Sequence, residues 1–221
     1  METFQLIINP LLLTLKISTI STVFVAIFGL LIAYILARKE FTGKRQVDVL
    51  LTLPVVLPPT VTGYILILLL GKNGIIGSIF FAITGNGILF TWQAAAIAAF
   101  VVSLPLMVKT ASSSIGAVDR NVEEAAHILG RNELETAIFI TLPLAKKGII
   151  AGCVLSFARA VGEFGATLMV AGNIQGKTST MPLSIYGAYQ AGNNELANLL
   201  VLILIAISLI TIAATSKLGE K

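Results

Sequence analysis

Three stretches of this chain lack any Asp, Glu, Lys or Arg: Ile17–Ala37 over 21 residues, Val49–Gly71 over 23 and Leu196–Ser216 over 21. A helix of about 20 apolar residues covers the roughly 30 Å hydrocarbon core of a bilayer, so each stretch is long enough to cross. Only 12% of the residues are charged and mean hydropathy is +0.94, against about a quarter charged in an average soluble domain. The chain is expected to be an all-α membrane protein. Asn73–Val108 is also uncharged, but its 36 residues are too few for two crossings and a turn, and Gly74, Gly77, Gly85 and Gly87 punctuate its first half. One crossing at about 90–108 is expected there, after a short external or re-entrant segment. Gly148–Val170 is a fifth candidate, interrupted by Arg159 and Glu163. The reading is one transmembrane domain over residues 1–221, with crossings at about 14–37, 49–71, 90–108, 148–170 and 196–216. Its longest connection runs from about 112 to 147, and no soluble enzymatic domain fits beside the spans.

Basic residues orient the spans. Arg38, Lys39, Lys44 and Arg45 follow the first, Lys109, Arg120, Arg131, Lys146 and Lys147 flank the long connection, and Lys217 and Lys221 end the chain. The opposite connections hold only Lys72 and Lys177. The rich side is cytoplasmic, which puts the N-terminus outside and the C-terminus inside. The opening METFQLIINP has no basic residue and no small-residue cleavage site, so the first span is expected to be retained. Basic residues scattered between spans form no contiguous patch for nucleic acid. A single Cys153 and a single His127 exclude an internal disulfide, a thiolate cluster and multi-histidine metal sites.

Ala171–Thr178 reads AGNIQGKT and matches the permissive nucleotide-loop spacing. A phosphate-cradling loop needs a preceding strand, a following helix and a Mg²⁺-binding carboxylate, and none fits an external connection between two spans. The match is read as chance. The long connection is more informative. Val122, Ala125, Ala126 and Leu129 recur at helical spacing. Asn121 and Glu124 suggest a capping box, Gly130 a left-handed end, and Asn132 with Glu135 a second start. Two short helices meeting at a glycine are expected, ended by Leu142-Pro143. Such a segment either docks on a partner or lies flat on the bilayer.

The order Glu124-Ala125-Ala126, three residues, Gly130, nine residues, Ile140, one residue, Leu142-Pro143 resembles the EAA motif of binding-protein-dependent ABC import permeases, matching every fixed position. Leu53–Gly77 and Phe157–Tyr186 resemble the molybdate permeases of that family, with sulfate and tungstate permeases as near relatives. The resemblance implies a type I importer permease fold in a prokaryotic cell (inner) membrane. It also implies a homodimer, two cytoplasmic ATPase subunits docking on the 112–147 connection, and an external oxyanion-binding protein. This chain would carry no cofactor and no catalytic residue, ATP and Mg²⁺ residing on the partner. Molybdate import is the expected function. Sulfate or tungstate import, and an ATP-independent ion-coupled carrier, are the alternatives.

Pathway candidates come from the residues themselves. Pro54, Pro58 and Pro59 each remove a backbone donor within the second span, and broken helices persist in lipid only where protein or water satisfies the freed groups. Pro58, Pro59, Thr60 and Thr62 are therefore candidates for a pathway or gate, with Ser103 a second case beside Pro105. Arg159 and Glu163 are four apart, which on a helix means one face, and charges in a membrane face protein or water. They form either a structural ion pair or an anion contact. Lys16 is expected to snorkel outward. Gly148 and Gly152 permit close helix packing.

Overall fold

The computed structural model describes the backbone of residues 2–219 and the side chains of residues 4–213. Lys221 and the Lys217 side chain, both counted above on the cytoplasmic side, lie outside the described residues. The described residues form helices joined by short connections. Helix α1 (Phe4–Arg38) has 35 residues, about 52 Å of rise, so it exceeds one bilayer core by about 20 Å. It carries a π turn at Val25–Gly29. The expected crossing at 14–37 is thus the inner part of a longer rod.

Helices α2 (Lys44–Val56) and α3 (Pro59–Leu70) meet at a 116° bend. Pro58 disfavours helical geometry at Leu57, whose ψ is 142°, and Pro58 itself has ψ 136°. Pro59 then occupies the first position of α3, where no amide donor is required. A short apolar helix, α4 (Ile75–Thr84), follows. It occupies the segment that the sequence leaves as external or re-entrant. Helix α5 (Trp92–Gly116) is capped by Thr91, whose side chain accepts from the Ala94 amide, and it runs on past the expected limit at 108. The long connection folds as α6 (Arg120–Ile128) and α7 (Glu133–Leu144), and α8 (Lys146–Val161) and α9 (Gly165–Ala171) come next. Helices α10 (Met181–Gln190) and α11 (Asn194–Gly219) complete the order.

Among the described residues three helices, α1, α5 and α11, are long and apolar enough to cross alone. Counting each bent pair, α2 with α3 and α7 with α8, as one span gives up to five. The expected crossing at 148–170 is not one helix: α8 ends at Val161 and α9 begins at Gly165. Its 16-residue first part reaches only about 24 Å.

Helix α5 is the central member, with 61% of its most apolar window buried against 28% for α1 and 11% for α11. Its alanines explain why, since Ala94, Ala95, Ala98 and Ala99 present almost no side-chain bulk and let α1, α8 and α9 approach. Ala111, Ile115 and Met107 continue the stripe toward the basic end, against Val25, Ala33 and Ala145. The Gly148 spacing is used here: a Cβ on Gly148 would overlap the Ser114 Cβ of α5. Gly148→Leu should force α8 off α5 and lower stability by about 1–3 kcal/mol, read as a fall in the thermal unfolding midpoint of the chain in nanodiscs.

Candidate functional site

The connection between α5 and α8 is folded back on the end of α1 by one carboxylate. Arg38 Nη2 lies 3.0 Å from Glu123 Oε1, with side chains only 8% and 13% exposed. The same nitrogen donates to the Val118 carbonyl at 3.0 Å. Thr141 Oγ1 donates to Glu123 Oε1 at 2.5 Å, so Glu123 joins three segments: α1, α6 and α7. Lys39 Nζ and Glu133 Oε1 pair nearby at 2.5 Å. That hydrogen bond to Glu133 holds the Lys39 ammonium above its ordinary pKa.

Local signals build the two short helices. Asp119, rather than the expected Asn121, caps α6, its carboxylate accepting from the Asn121 amide at 2.9 Å. A negative charge there suits the positive end of the helix dipole. Gly130 ends the turn at φ +87°, a left-handed backbone that glycine adopts without steric penalty. Asn132 and Glu135 form the expected capping box, with reciprocal bonds of 2.9 and 3.1 Å. Pro143 does not stop α7 at once. A π turn at Ala137–Thr141 precedes it, the helix reaches Leu144, and the 74° bend falls before Lys146.

The apolar face divides. Ala126 is buried and packs inward, while Val122 is 43%, Leu129 85% and Ile128 86% exposed. Glu124, Ala125 and Gly130 are exposed beside them, as is Pro143, with Ile140 and Leu142 half-buried. Leu134 and Phe139 on α7 are also exposed, and the Arg131 guanidinium lies 5.1 Å from the Phe139 ring centroid. The result is a rigidly mounted apolar tip rimmed by charge. Glu123 is the residue that sequence reasoning misses: it neighbours the motif glutamate, but its partner Arg38 is distant in the chain.

A second feature forms where the interrupted helices cross. A Cβ on Gly165, at the start of α9, would lie 2.7 Å from Pro59 Cβ at the start of α3. The break before α3 therefore rests on the break before α9. Arg159 Nη1 is 2.8 Å from Glu163 Oε2, and Glu163 Oε1 accepts from the Ala166 amide at 2.8 Å. Glu163 thus lies beyond the end of α8 and caps the next helix, a correction to the one-helix-face reading. Its side chain is 2% exposed, that of Arg159 32%. Pro58, Pro59 and Thr60 are exposed at this junction, and Thr62 is buried with no hydrogen-bond partner for its Oγ1. Ser103 is fully buried between helices: its Oγ donates to the Ala99 carbonyl at 2.6 Å, and its carbonyl accepts from Ser156 Oγ at 3.2 Å. It belongs to α5–α8 packing.

Residues 6–218 match the family described as binding-protein-dependent transport system inner membrane component. The molybdenum transport system permease protein ModB of Escherichia coli K12 is 41% identical over 213 residues, covering 96% of this chain and 93% of that protein. The sulfate transport system permease protein CysW of Synechococcus elongatus is 37% identical over 211 residues, covering 95% of this chain and 73% of that protein. A solved inward-facing MetNI methionine ABC transporter aligns with a TM-score of 0.73 at 17% identity, over 97% of this chain and 95% of that one. That likeness concerns the fold.

Removing one partner of the Arg38–Glu123 pair strands a charge with little access to water. Arg38→Met or Glu123→Met alone should cost about 3 kcal/mol of stability, and the double Met variant less than either. Thermal unfolding of the three variants in one lipid checks this.

Proposed function

This chain belongs to the binding-protein-dependent transport system inner membrane components, and on that premise we propose that it is the permease subunit of an ATP-driven molybdate importer. The observation that carries the mechanism is the exposed tip of Ile128 and Leu129 next to Glu124. An apolar surface of this kind, fixed to the spans by Glu123, suits the groove of a cytoplasmic ATPase. ATP and Mg²⁺ belong to that partner. ATP binding draws two such tips together, the spans turn from inward-facing to outward-facing, and hydrolysis resets them. The permease itself makes only passing contacts with the anion, supplied by an external binding protein.

Two copies form the membrane body in this reading. Helix α2 has no buried residue, and its Leu50, Val55 and Val56 are 66%, 54% and 76% exposed, alongside Tyr64 at 55% on α3. A second copy covers part of this apolar face. Each copy has five crossings, with α2–α3 and α8–α9 broken spans, the N-terminus outside and the C-terminus cytoplasmic. The greater identity and fuller coverage of the molybdenum relative favour molybdate over sulfate. Both are tetrahedral dianions, so the choice rests on that likeness.

ATP hydrolysis by the chain reconstituted with its ATPase and binding protein tests the proposal. Stimulation by molybdate and not by sulfate is expected. Stimulation by sulfate alone would change the substrate, and no response with no ATPase bound would bring forward an ATP-independent carrier. In the working assembly, the Glu124→Lys, Gly130→Pro double variant should insert normally and hydrolyse ATP without import. For the inner pair, Arg159→Ala and Glu163→Ala should each reduce uptake more than the double variant if the two mainly neutralise each other. Equal losses in Arg159→Ala and the double variant would indicate anion contact. Radioactive molybdate uptake into proteoliposomes reads both.

A further inference from the structure

The AGNIQGKT segment and Lys16 take no part in the coupling surface or the broken-helix junction, yet they meet beside α1, 22 positions from Arg38. Lys16 and Arg38 are separated by 22 positions on one helix, about 33 Å of rise, or roughly one hydrocarbon thickness. Lys16 therefore marks the far membrane boundary. Its Nζ sits 3.9 Å from the centroid of Trp92, the first residue of α5, a position suited to the interfacial aromatic belt. The lysine is exposed, with its ammonium resting over that ring. Among the described residues no carboxylate forms an ion pair with it.

Lys16 borders a cavity of about 290 Å³ with Asn9, Gly176 and Ser179. The same three residues, Asn9, Gly176 and Ser179, also line a larger space of about 770 Å³ whose walls include Asn173, Gln175 and Ser184. Neither lining contains a carboxylate. The motif loop is held in shape by its own bonds: Thr178 Oγ1 donates to the Gly172 carbonyl at 3.2 Å and accepts from the Ile174 amide at 3.0 Å. Ser179, 8% exposed, bonds Asn173 Oδ1 at 2.6 Å and shares a 2.9 Å bond with Ser184 Oγ. Thr14 Oγ1 accepts from the Met181 amide at 2.8 Å and ties the start of α10 to α1. The walls are thus set by buried Ser179, half-buried Ser184 and the exposed side-chain amides of Asn9, Asn173 and Gln175, and the charged residue in the two linings is Lys16.

We propose that these adjoining cavities, bordered by Lys16 and framed by the Ala171–Thr178 loop, receive a tetrahedral oxyanion group on the external side. The inference rests on the import reading for its orientation. One cation with the exposed side-chain amides of Asn9 and Gln175 attracts a dianion without the tight hold of several fixed charges, which suits a site that must pass its ligand on. The same chemistry accepts the phosphate of a lipid headgroup, since Lys16 and Trp92 stand at headgroup depth.

The complete transporter in proteoliposomes separates the two sources. Molybdate carried by the binding protein is the probe, and phospholipid retained by the purified chain is quantified by native mass spectrometry. If the transported oxyanion is the ligand, Lys16→Gln should raise the KM for uptake about tenfold, the loss of one charge-assisted hydrogen bond. Lys16→Arg should restore it. Gln175→Glu, on an exposed loop where folding is not at stake, should raise KM as well, and Gln175→Lys should not. If a headgroup is the ligand, Lys16→Gln loses a retained phospholipid while uptake is unchanged. Wild-type KM together with unchanged retained lipid in Lys16→Gln and Gln175→Glu would overturn the proposal. A wild-type transporter importing no oxyanion would instead overturn the import reading, and the lipid measurement would still report on the cavity.

Discussion

One carboxylate, Glu123, decides how the basic end of this molecule behaves. It lies between Arg38 at the end of the first long helix and Thr141 in α7, where limited access to water strengthens each contact and makes a missing partner costly. Without it α6 and α7 would be two short helices on a glycine joint, free to pivot. With it, the exposed Ile128 and Leu129 are carried on the same body as a 35-residue helix. The tip is therefore tied to the end of α1 by side-chain contacts as well as by the chain itself.

Rigidity at that end contrasts with interruption in the middle. Both breaks, at Leu57–Pro58 and at Gly162–Phe164, leave backbone groups outside helical ladders, which hydrocarbon does not tolerate unless protein or water takes them up. The fold answers by resting one break on the other, Gly165 on Pro59, and by using Glu163 to cap α9. Arg159 then offsets that charge. The alanine-lined α5 holds these pieces close enough for the arrangement to persist.

Much of this was legible in the residues because the signals are local. Charge-free runs marked α1, α5 and α11, while Gly130 and the Asn132–Glu135 box were read at their positions, since each acts within a turn of itself. Other features depended on distant partners. Glu123 and Glu124 are adjacent acids on one amphipathic helix, and only Arg38, folded alongside, selects Glu123 as the inward one. Ser103 lies inside a helix pair, bonding Ala99 and Ser156, and the second of these partners is distant in the chain. The i,i+4 spacing of Arg159 and Glu163 brought them together as expected, though by way of a helix end. The cap at Asp119 displaced the one at Asn121 by two residues, a shift that sequence alone resolves poorly where two capping residues compete.

The central claim is that the Ile128–Leu129 tip, proposed to dock on an ATPase, moves with α1 as one body. Pulsed electron–electron distances test it in the assembled transporter, with the native Cys153 replaced by alanine and spin labels at Phe41 and Ile128. With one labelled copy in the proposed dimer, the Phe41–Ile128 distance should stay fixed between nucleotide-free and ATP-bound states. With Ile128 labelled in both copies, the distance across the dimer should shorten. A tip that closes toward its partner while the Phe41–Ile128 distance changes by a comparable amount would contradict the account.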